Sequence, residues 1–412
     1  MFTMNDEKEA GRKLRQIDAP LVIILVLLVG SGLALIYSAD HAQETFSHFE
    51  RQLMVAIVGL VGMGILTFIP PRFYYALAYV FYGLGLFMLL LVDAMGIIGL
   101  GARRWLSIAG FHFQPSEPAK IAYILAAARL LSDQRDIQPQ WRILLKIAML
   151  ALPPFILIVL QPDLGTSTVF PVVTVAVLAW WGLRLDIFIV LFLPLISLFL
   201  TVSPLIVSIP VVAGLVWLKR YGYRFISLAL VVLACSAATI TAPLAWNHLE
   251  DYQKDRLLTF LNPQADPLGA GYQVIQSQVA IGSGGVAGTG YLKGTQTQLR
   301  FLPEQHTDFI FSLSGEEFGF LGASFIILLF CMLGIRGYMT AEHAKNKFIS
   351  IAAAGLTSMI IYHAMINIGM SLGTLPVTGL PLPYLSYGGT FLLVCMMGWG
   401  IVLSANVHRR EP

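Results

Sequence analysis

Long apolar runs separated by short polar segments dominate the chain. An α-helix needs roughly 20 apolar residues to cross the hydrocarbon core of a bilayer. Twelve runs reach or approach that length, near 20–38, 52–69, 74–97, 116–131, 143–160, 166–182, 186–202, 204–218, 225–243, 309–334, 348–373 and 388–405. The pattern predicts an all-α, polytopic integral membrane helix bundle with 10–12 transmembrane helices.

The lower figure of this range reflects the weaker runs. The run at 116–131 starts with polar residues, and only Ser203 and Pro204 divide 186–202 from 204–218. That pair fits either a tight hairpin or one broken helix. Removing both runs of this pair would leave the remaining topology the same, because an even number of spans is lost.

Composition supports a lipid environment and excludes several classes of protein. Hydrophobic residues make up 57% of the chain and charged residues 12%, whereas a soluble domain has about 25% charged residues. No basic run predicts a nucleic-acid partner. The three cysteines lie inside apolar runs without paired spacing, so neither a disulfide framework nor a metal site is predicted.

The distribution of positive charge predicts the orientation. If the N-terminus is cytoplasmic, most of the 26 Lys and Arg residues fall in inner segments, as expected for cytoplasmic loops. The terminal segments 1–19 and 406–412 are then cytoplasmic tails. The large segment 244–308, between the spans near 225–243 and 309–334, is extracytoplasmic and rich in Gly, Gln and charge. So long a loop is usually functional.

This loop ends in a cluster of titratable side chains, Glu304, His306 and Asp308, at the start of a span. A carboxylate in this position can accept a proton from a substrate. It could equally cap the helix that follows, because Thr and Asp are good N-cap residues. Earlier in the loop, Asp266 lies among prolines and glycines, which favours a role as a turn former.

Charged residues at other helix ends are further candidates. Arg103 and Arg104, beside Trp105, could bind a phosphate or anchor the chain at the membrane surface. Glu117 and Lys120 lie three residues apart on a helix and can pair. An unpaired charge in a span is costly, so these two residues are expected to have partners.

The same reasoning applies to Asp163 and to at least one of Glu316 and Glu317, which are predicted to be supporting residues. Ser386 belongs to a segment rich in proline and glycine at 375–389. Irregular backbone at membrane depth is tolerated only against protein or water. This segment therefore predicts a cavity lining.

Five motifs occur in an order that resembles the SEDS family (shape, elongation, division and sporulation proteins). They are GARRW with QPSEPAK, QPDLGTS, NPQADPLGAGYQ, LPEQHTDFIF with GEEFG, and NIGMSLGTLPVTGLPLPYLSYGG. The resemblance is to the elongation branch, RodA, more than to the division branch, FtsW. It implies one SEDS-type membrane domain over 1–412, with 244–308 as its catalytic loop.

The resemblance also implies a function. Such proteins are peptidoglycan glycosyltransferases that polymerise lipid II at the outer face of the bacterial cytoplasmic (inner) membrane during elongation and rod-shape maintenance. Their partner is a class B penicillin-binding protein, the transpeptidase. Their essential carboxylate falls on Asp308, which would be the catalytic base, and their Arg-Trp pair falls on Arg104 and Trp105.

Other predicted substrate contacts are Arg103, Lys293, Arg300, Glu304 and His306. A divalent cation could share the neutralisation of pyrophosphate, and no other cofactor is indicated. The chain departs from the family in one extra hairpin within 186–224. It also has Arg300 and Thr378 where the division branch has Glu and Lys. The roles of those two positions in the division branch are therefore not carried over to this chain.

Two rival functions remain open. A lipid II flippase, which is a transporter, would depend on Glu117 and Lys120 and would move substrate without joining sugars. A non-catalytic scaffold of the cell-wall synthesis complex would tolerate the loss of the Asp308 carboxylate.

Overall fold

The computed structural model of the chain describes residues 16–41, 46–99, 102–108, 111–134, 140–184, 186–190, 193, 204–220, 222, 225–248, 254, 260, 262–265, 271–299, 301–302 and 304–409. Its elements are α1 (Ala19–His41), α2 (Ser47–Phe68), α3 (Pro71–Met95), β1 (Ile97–Gly99), β2 (Ala102–Ile108), β3 (Phe111–Phe113), α4 (Ser116–Ser132), α5 (Gln140–Leu160), α6 (Leu164–Ser167), α7 (Val169–Trp181), α8 (Pro204–Arg220), α9 (Phe225–His248), α10 (Tyr272–Ser283), α11 (Thr295–Gln298), α12 (Ile310–His343), α13 (Lys347–Ser371) and α14 (Gly389–Val407).

The predicted membrane bundle is confirmed. Within the described residues, eight helices are long and apolar enough to cross a membrane. The apolar runs form helices because lipid offers no hydrogen bonds, so a spanning backbone must satisfy its own polar groups. Helix starts follow local chemistry. Pro71 occupies the first turn of α3, where a missing N–H costs nothing, and the Asn346 side chain caps α13.

Two helices form the centre of the bundle. The apolar windows of α13 and α14 are 72% and 83% buried, whereas those of α3 and α5 are each 22% buried. Helix α14 packs extensively against α2, and α13 packs against α12 and α4. Polar side chains on α13 therefore lie in the interior of the bundle, where each needs a partner.

A small antiparallel sheet between α3 and α4 is the main departure from an all-helical chain. Its strands run in the order β1-β2-β3. Ile97 pairs with Trp105, and Leu106 pairs with Phe113. The strands are only 3, 7 and 3 residues long. They are too short for an alternation of apolar and polar residues to predict them from the sequence.

Helix α12 is interrupted at Gly319, whose φ of 65° and ψ of −160° are not helical. The glycine-rich segment 284–290 lies against this break. Thr289 N donates to Glu316 O (2.9 Å), and Phe320 N donates to Gly285 O (2.9 Å). Backbone bonds from another segment thus replace those that the helix loses at the break.

Residues 178–258 form a compact unit of their own. Its apolar cluster joins Leu193 to Leu218 of α8 and to Val231 and Cys235 of α9. Much of the predicted run at 186–202 lies outside the described residues, so the choice between a hairpin and a broken helix stays open. Helix α9 extends to His248, past the predicted start of the long loop, and α10 lies within that loop.

Candidate active site

Asp308 lies directly before Phe309, the N-cap of α12, and its side chain is partly exposed. The turn that carries it is closed by Glu304. Thr307 N donates to the Glu304 carbonyl oxygen (3.1 Å), and the Thr307 hydroxyl donates to Glu304 Oε2 (2.9 Å). Glu304 thus shapes the turn, and its predicted contact with substrate stays a prediction.

Three consecutive carbonyl groups of this turn accept hydrogen bonds from elsewhere in the chain. His306 O accepts from Tyr387 N (2.7 Å). Thr307 O accepts from the Ser386 hydroxyl (2.6 Å). Asp308 O accepts from Asn367 Nδ2 (2.8 Å). The backbone on either side of the candidate base is therefore held by α13 and by the segment after it.

That segment, residues 372–388, is called the proline-rich loop below. Ser386 Oγ also accepts from Leu382 N (2.8 Å), which closes the loop on itself. Gln52 of α2 holds its far end, donating to Ser386 O (3.1 Å) and accepting from Gly388 N (3.2 Å). The predicted supporting role of Ser386 therefore has a structural basis.

Gly379 of the proline-rich loop faces the Asp308 carboxylate. Its φ is 74°, a conformation that favours glycine. A Cβ at this position would lie 3.6 Å from Asp308 Oδ2. A side chain at this position would therefore contact the carboxylate, and glycine leaves that space unfilled.

His306 stacks on His48 of α2, with ring centroids 4.7 Å apart. Asp40 at the end of α1 pairs with His48 at 2.8 Å and accepts from Phe49 N (2.8 Å). Burial lowers the pKa of His306 and His48 lowers it further, whereas Asp40 and Glu304 oppose the shift. The ring of His306 therefore favours the neutral form and links the Asp308 turn to the first two helices.

A buried cluster joins α4 to α13. Lys120 Nζ lies 2.9 Å from Glu117 and 3.1 Å from His363 Nε2. All three residues are at most 3% exposed. The predicted pairing of Glu117 with Lys120 is confirmed, and His363 is an unpredicted third member. An ammonium group donates, so Nε2 accepts and the ring proton lies on Nδ1.

Arg104 of β2 binds backbone at the end of α5. Its Nε donates to Gln161 O (3.2 Å), and its Nη2 donates to Pro162 O. Asp163 accepts from Thr166 N (3.2 Å), so its expected partner is found. Arg103 and Trp105 lie in the same strand. Phosphate binding by Arg103 and Arg104 stays a prediction.

Glu316 is an internal anchor. Its carboxylate accepts from Gln296 N (2.7 Å) and from Thr297 N (3.1 Å) and Oγ1 (2.7 Å). Glu317 accepts from Ser38 of α1. The partners expected for these carboxylates are therefore present, and both are structural.

Three predicted residues remain, Lys293, Arg300 and Asp266. Lys293 lies exposed in the segment before α11. Arg300 and Asp266 lie outside the described residues. Within the part of the chain that the structure describes, no three His, Cys, Asp or Glu side chains are placed to hold a metal ion.

Sequence reasoning missed Gln52, His363 and Asn367. Each is 1% exposed or less. A signal was available, since polar side chains within apolar runs are rare and usually bonded or functional. Their partners were not predictable, because His363 meets a lysine 243 residues away.

A family model described as "Cell cycle protein", which covers FtsW, RodA and SpoVE, matches residues 16–411. The chain belongs to the FtsW/RodA/SpoVE family. The resemblance to SEDS proteins is thereby confirmed.

Relatives within this family carry enzyme names. The peptidoglycan glycosyltransferase MrdB of Escherichia coli K12 is 41% identical over 95% of this chain and 93% of its own length. The peptidoglycan glycosyltransferase RodA of Treponema pallidum is 34% identical over 97% and 99%. The elongation-type resemblance agrees with both names.

Solved structures have the same fold. A chain from a study of the structural coordination of polymerization and crosslinking by a peptidoglycan synthase complex aligns with a TM-score of 0.73. Its identity is 28%, and the match covers 96% of this chain and 99% of that one. The rod shape determining protein RodA of Thermus thermophilus aligns with a TM-score of 0.64 at 26% identity, covering 96% and 98%.

Proposed function

We propose that this chain polymerises lipid II into glycan strands, with Asp308 as the general base. It is a peptidoglycan glycosyltransferase of the RodA type, in line with its relatives' names. The supporting observation is the held Asp308 turn, with three successive carbonyls bonded and a carboxylate facing a glycine. A base must be fixed in place yet accessible to substrate, and this arrangement meets both needs.

The reaction joins two sugars. The 4-hydroxyl of the acceptor lipid II attacks C1 of the terminal sugar on the growing strand. The bond from C1 to the lipid pyrophosphate breaks, and the pyrophosphate leaves with the bonding electron pair. The hydroxyl proton passes to the Asp308 carboxylate. Cationic side chains neutralise the leaving group, and Arg103, Arg104, Lys293 and Arg300 are the candidates, with a divalent cation as a further one.

The setting follows from orientation and family. The Asp308 end of the bundle faces outward from the bacterial cytoplasmic membrane, and both termini are cytoplasmic. A class B penicillin-binding protein supplies crosslinking. This part of the proposal is supported by the distribution of Lys and Arg and by the similarity to a chain of a synthase complex that polymerises and crosslinks.

The flippase alternative is less well supported by the described residues. Glu117 and Lys120 are bonded to each other and to His363, and all three are buried. Charges that carry a substrate across a membrane are expected to line a path open to water. This cluster is closed.

The test is polymerisation of labelled lipid II by purified protein in detergent. Wild type, Asp308→Asn and Glu50→Gln are compared, each with and without the cognate penicillin-binding protein carrying an inactive transpeptidase site. Loss of one positioned base costs roughly 10²–10⁴-fold in rate. Asp308→Asn should therefore lose at least this much activity while folding normally.

Glu50→Gln is the matched control, because Glu50 is an exposed carboxylate at the same end of the bundle. It should retain wild-type rate. Polymer formation by folded Asp308→Asn at the wild-type rate would reject the base assignment. No polymer from wild type with its partner present would favour transport, and an effect of Glu117→Gln on lipid II movement would then be measured.

A further inference from the structure

Asn367 of α13 contacts two segments of the candidate active site, the Asp308 turn and the proline-rich loop. Its Nδ2 donates to Asp308 O at 2.8 Å and to Leu380 O at 2.9 Å. The side chain is fully buried. A primary amide has two N–H donors, and both are used on loops outside its own helix.

The orientation of this amide follows from its surroundings. If it were reversed, Oδ1 would face two carbonyl oxygens and two hydrogen bonds would be lost. Among the described residues nothing donates to Oδ1. Within the part of the chain that the structure describes, the amide's polar contacts are therefore these two donor bonds, and they explain its presence in the bundle interior.

The helix itself does not require this side chain. Helix α13 continues to Ser371, whose hydroxyl donates to the Asn367 carbonyl oxygen (2.9 Å). An apolar residue of similar volume would serve packing equally well, because burying an amide is costly unless it is bonded. A role outside α13 accounts for the amide.

We propose that Asn367 is a positioning residue for Asp308, an inference that rests on the proposed function. By holding Asp308 O it fixes the direction in which the side chain leaves the backbone. By holding Leu380 O it also fixes the neighbouring Gly379, where an added Cβ would lie 3.6 Å from Asp308 Oδ2. One amide thus sets both sides of the gap into which the acceptor hydroxyl must fit.

The expected effect is on the chemical step. Without the amide, the carbonyls of His306 and Thr307 remain held by the proline-rich loop, so the turn persists. The carbonyl oxygens of Asp308 and Leu380 lose the hydrogen bonds that both receive from the Asn367 amide. A displacement of about 1 Å at a catalytic group can cost about 100-fold in rate.

The test variant is Asn367→Leu, which has the same number of side-chain heavy atoms, branched at the same carbon, and no donors. We expect kcat to fall about 10–100-fold while KM for lipid II stays within about threefold. Thr357→Val is the matched control, since Thr357 is fully buried on the same helix and its hydroxyl is unbonded among the described residues. Asn367→Asp keeps the amide's shape with at most one donor and guards against misfolding of the apolar variant.

A double-mutant cycle separates positioning from general damage. Asp308→Glu already displaces the carboxylate by one methylene group. Adding Asn367→Leu to it should cost less than about threefold, because residues that act as a unit are not additive. If Asn367→Leu merely loosened the bundle, its fold-loss in rate would multiply in full with the fold-loss of Asp308→Glu.

Three results would overturn the proposal: wild-type kcat in folded Asn367→Leu or Asn367→Asp, a loss equal to that of Thr357→Val, or full additivity with Asp308→Glu. Asp308→Asn, assayed alongside, tells two failures apart. If it is active, the base assignment itself is wrong. If it is inactive while Asn367→Leu has wild-type activity, only the positioning role is wrong.

Discussion

His306, which lies in the Asp308 turn and stacks on His48, couples the stability of the protein to pH. Burial and the nearby His48 lower the pKa of His306 in the folded protein. In the unfolded chain this group has an ordinary pKa of about 6.5. Between the two values the unfolded state binds more protons, so stability falls as pH drops through about 6.5.

His306→Gln should therefore reduce the acid sensitivity of the protein. The measurement is thermal unfolding in detergent at about pH 7.5 and 5.5, where wild type should lose more stability than the variant. His343→Gln is the control, because His343 is exposed at the opposite end of α12 and should behave like wild type. Equal acid sensitivity in wild type and His306→Gln would exclude this account.

At the scale of single residues, the sequence predicted contacts between residues close together in the chain better than contacts between residues far apart in it. The spacing of Glu117 and Lys120 was enough to predict their pairing, because three residues is a helical contact distance. The bonds of Asp308 to Asn367 and of Thr307 to Ser386 join residues 59 and 79 positions apart. Local chemistry does not specify such contacts, since they depend on how the helices pack.

Among the elements, helices were predictable and the breaks in them were not. A span must be apolar over its whole length, so its sequence pattern is strong. The run at 309–334 gives no sign of the interruption at Gly319. That break depends on the segment 284–290, whose backbone bonds to the helix at Glu316 and Phe320.

Gly319 should consequently be intolerant of substitution. Its φ and ψ are nearly exclusive to glycine, and other residues there cost about 1–3 kcal/mol. A Cβ would also overlap the backbone of Gly288 and Val286. Gly319→Ala should therefore lower both the melting temperature and the yield of monodisperse protein.

Gly64→Ala in α2 is the matched control. It lies in a helix with open space around the added methyl group, and alanine in a helix is favoured over glycine by about 0.5–1 kcal/mol. This variant should equal or exceed wild type in melting temperature. If Gly319→Ala unfolds no earlier than Gly64→Ala, the break imposes no conformational requirement.

For the whole molecule, the decisive property is that one end of the bundle carries the chemistry. The end of α1, the start of α2, the last turns of α13 and the start of α12 meet around the Asp308 turn. At the opposite end, Arg336 pairs with Asp18 (2.6 Å), and Arg129 lies 4.6 Å from the rings of Tyr75 and Tyr79. The proposed polymerisation of lipid II at the outer face of the membrane requires the first end to face outward.

Helix α12 makes this orientation testable, because it runs from the Asp308 turn to the opposite end of the bundle, where Arg336 pairs with Asp18. Its part after the break at Gly319, residues 320–343, is about 36 Å long at 1.5 Å per residue and exceeds a hydrocarbon core of about 30 Å. Lys293 precedes it and Lys345 follows it, and both are exposed. They must therefore lie on opposite sides of the membrane.

The experiment places a single cysteine at Lys293 or Lys345 in a chain whose three native cysteines are replaced by alanine. A membrane-impermeant maleimide should label Lys293→Cys in intact spheroplasts and Lys345→Cys only after permeabilisation, since positive charge favours the cytoplasmic side. Labelling of both from outside would mean that α12 does not cross. The reverse pattern would place Asp308 in the cytoplasm, where it could not act on lipid II displayed at the outer face, and the proposed function would have to be abandoned.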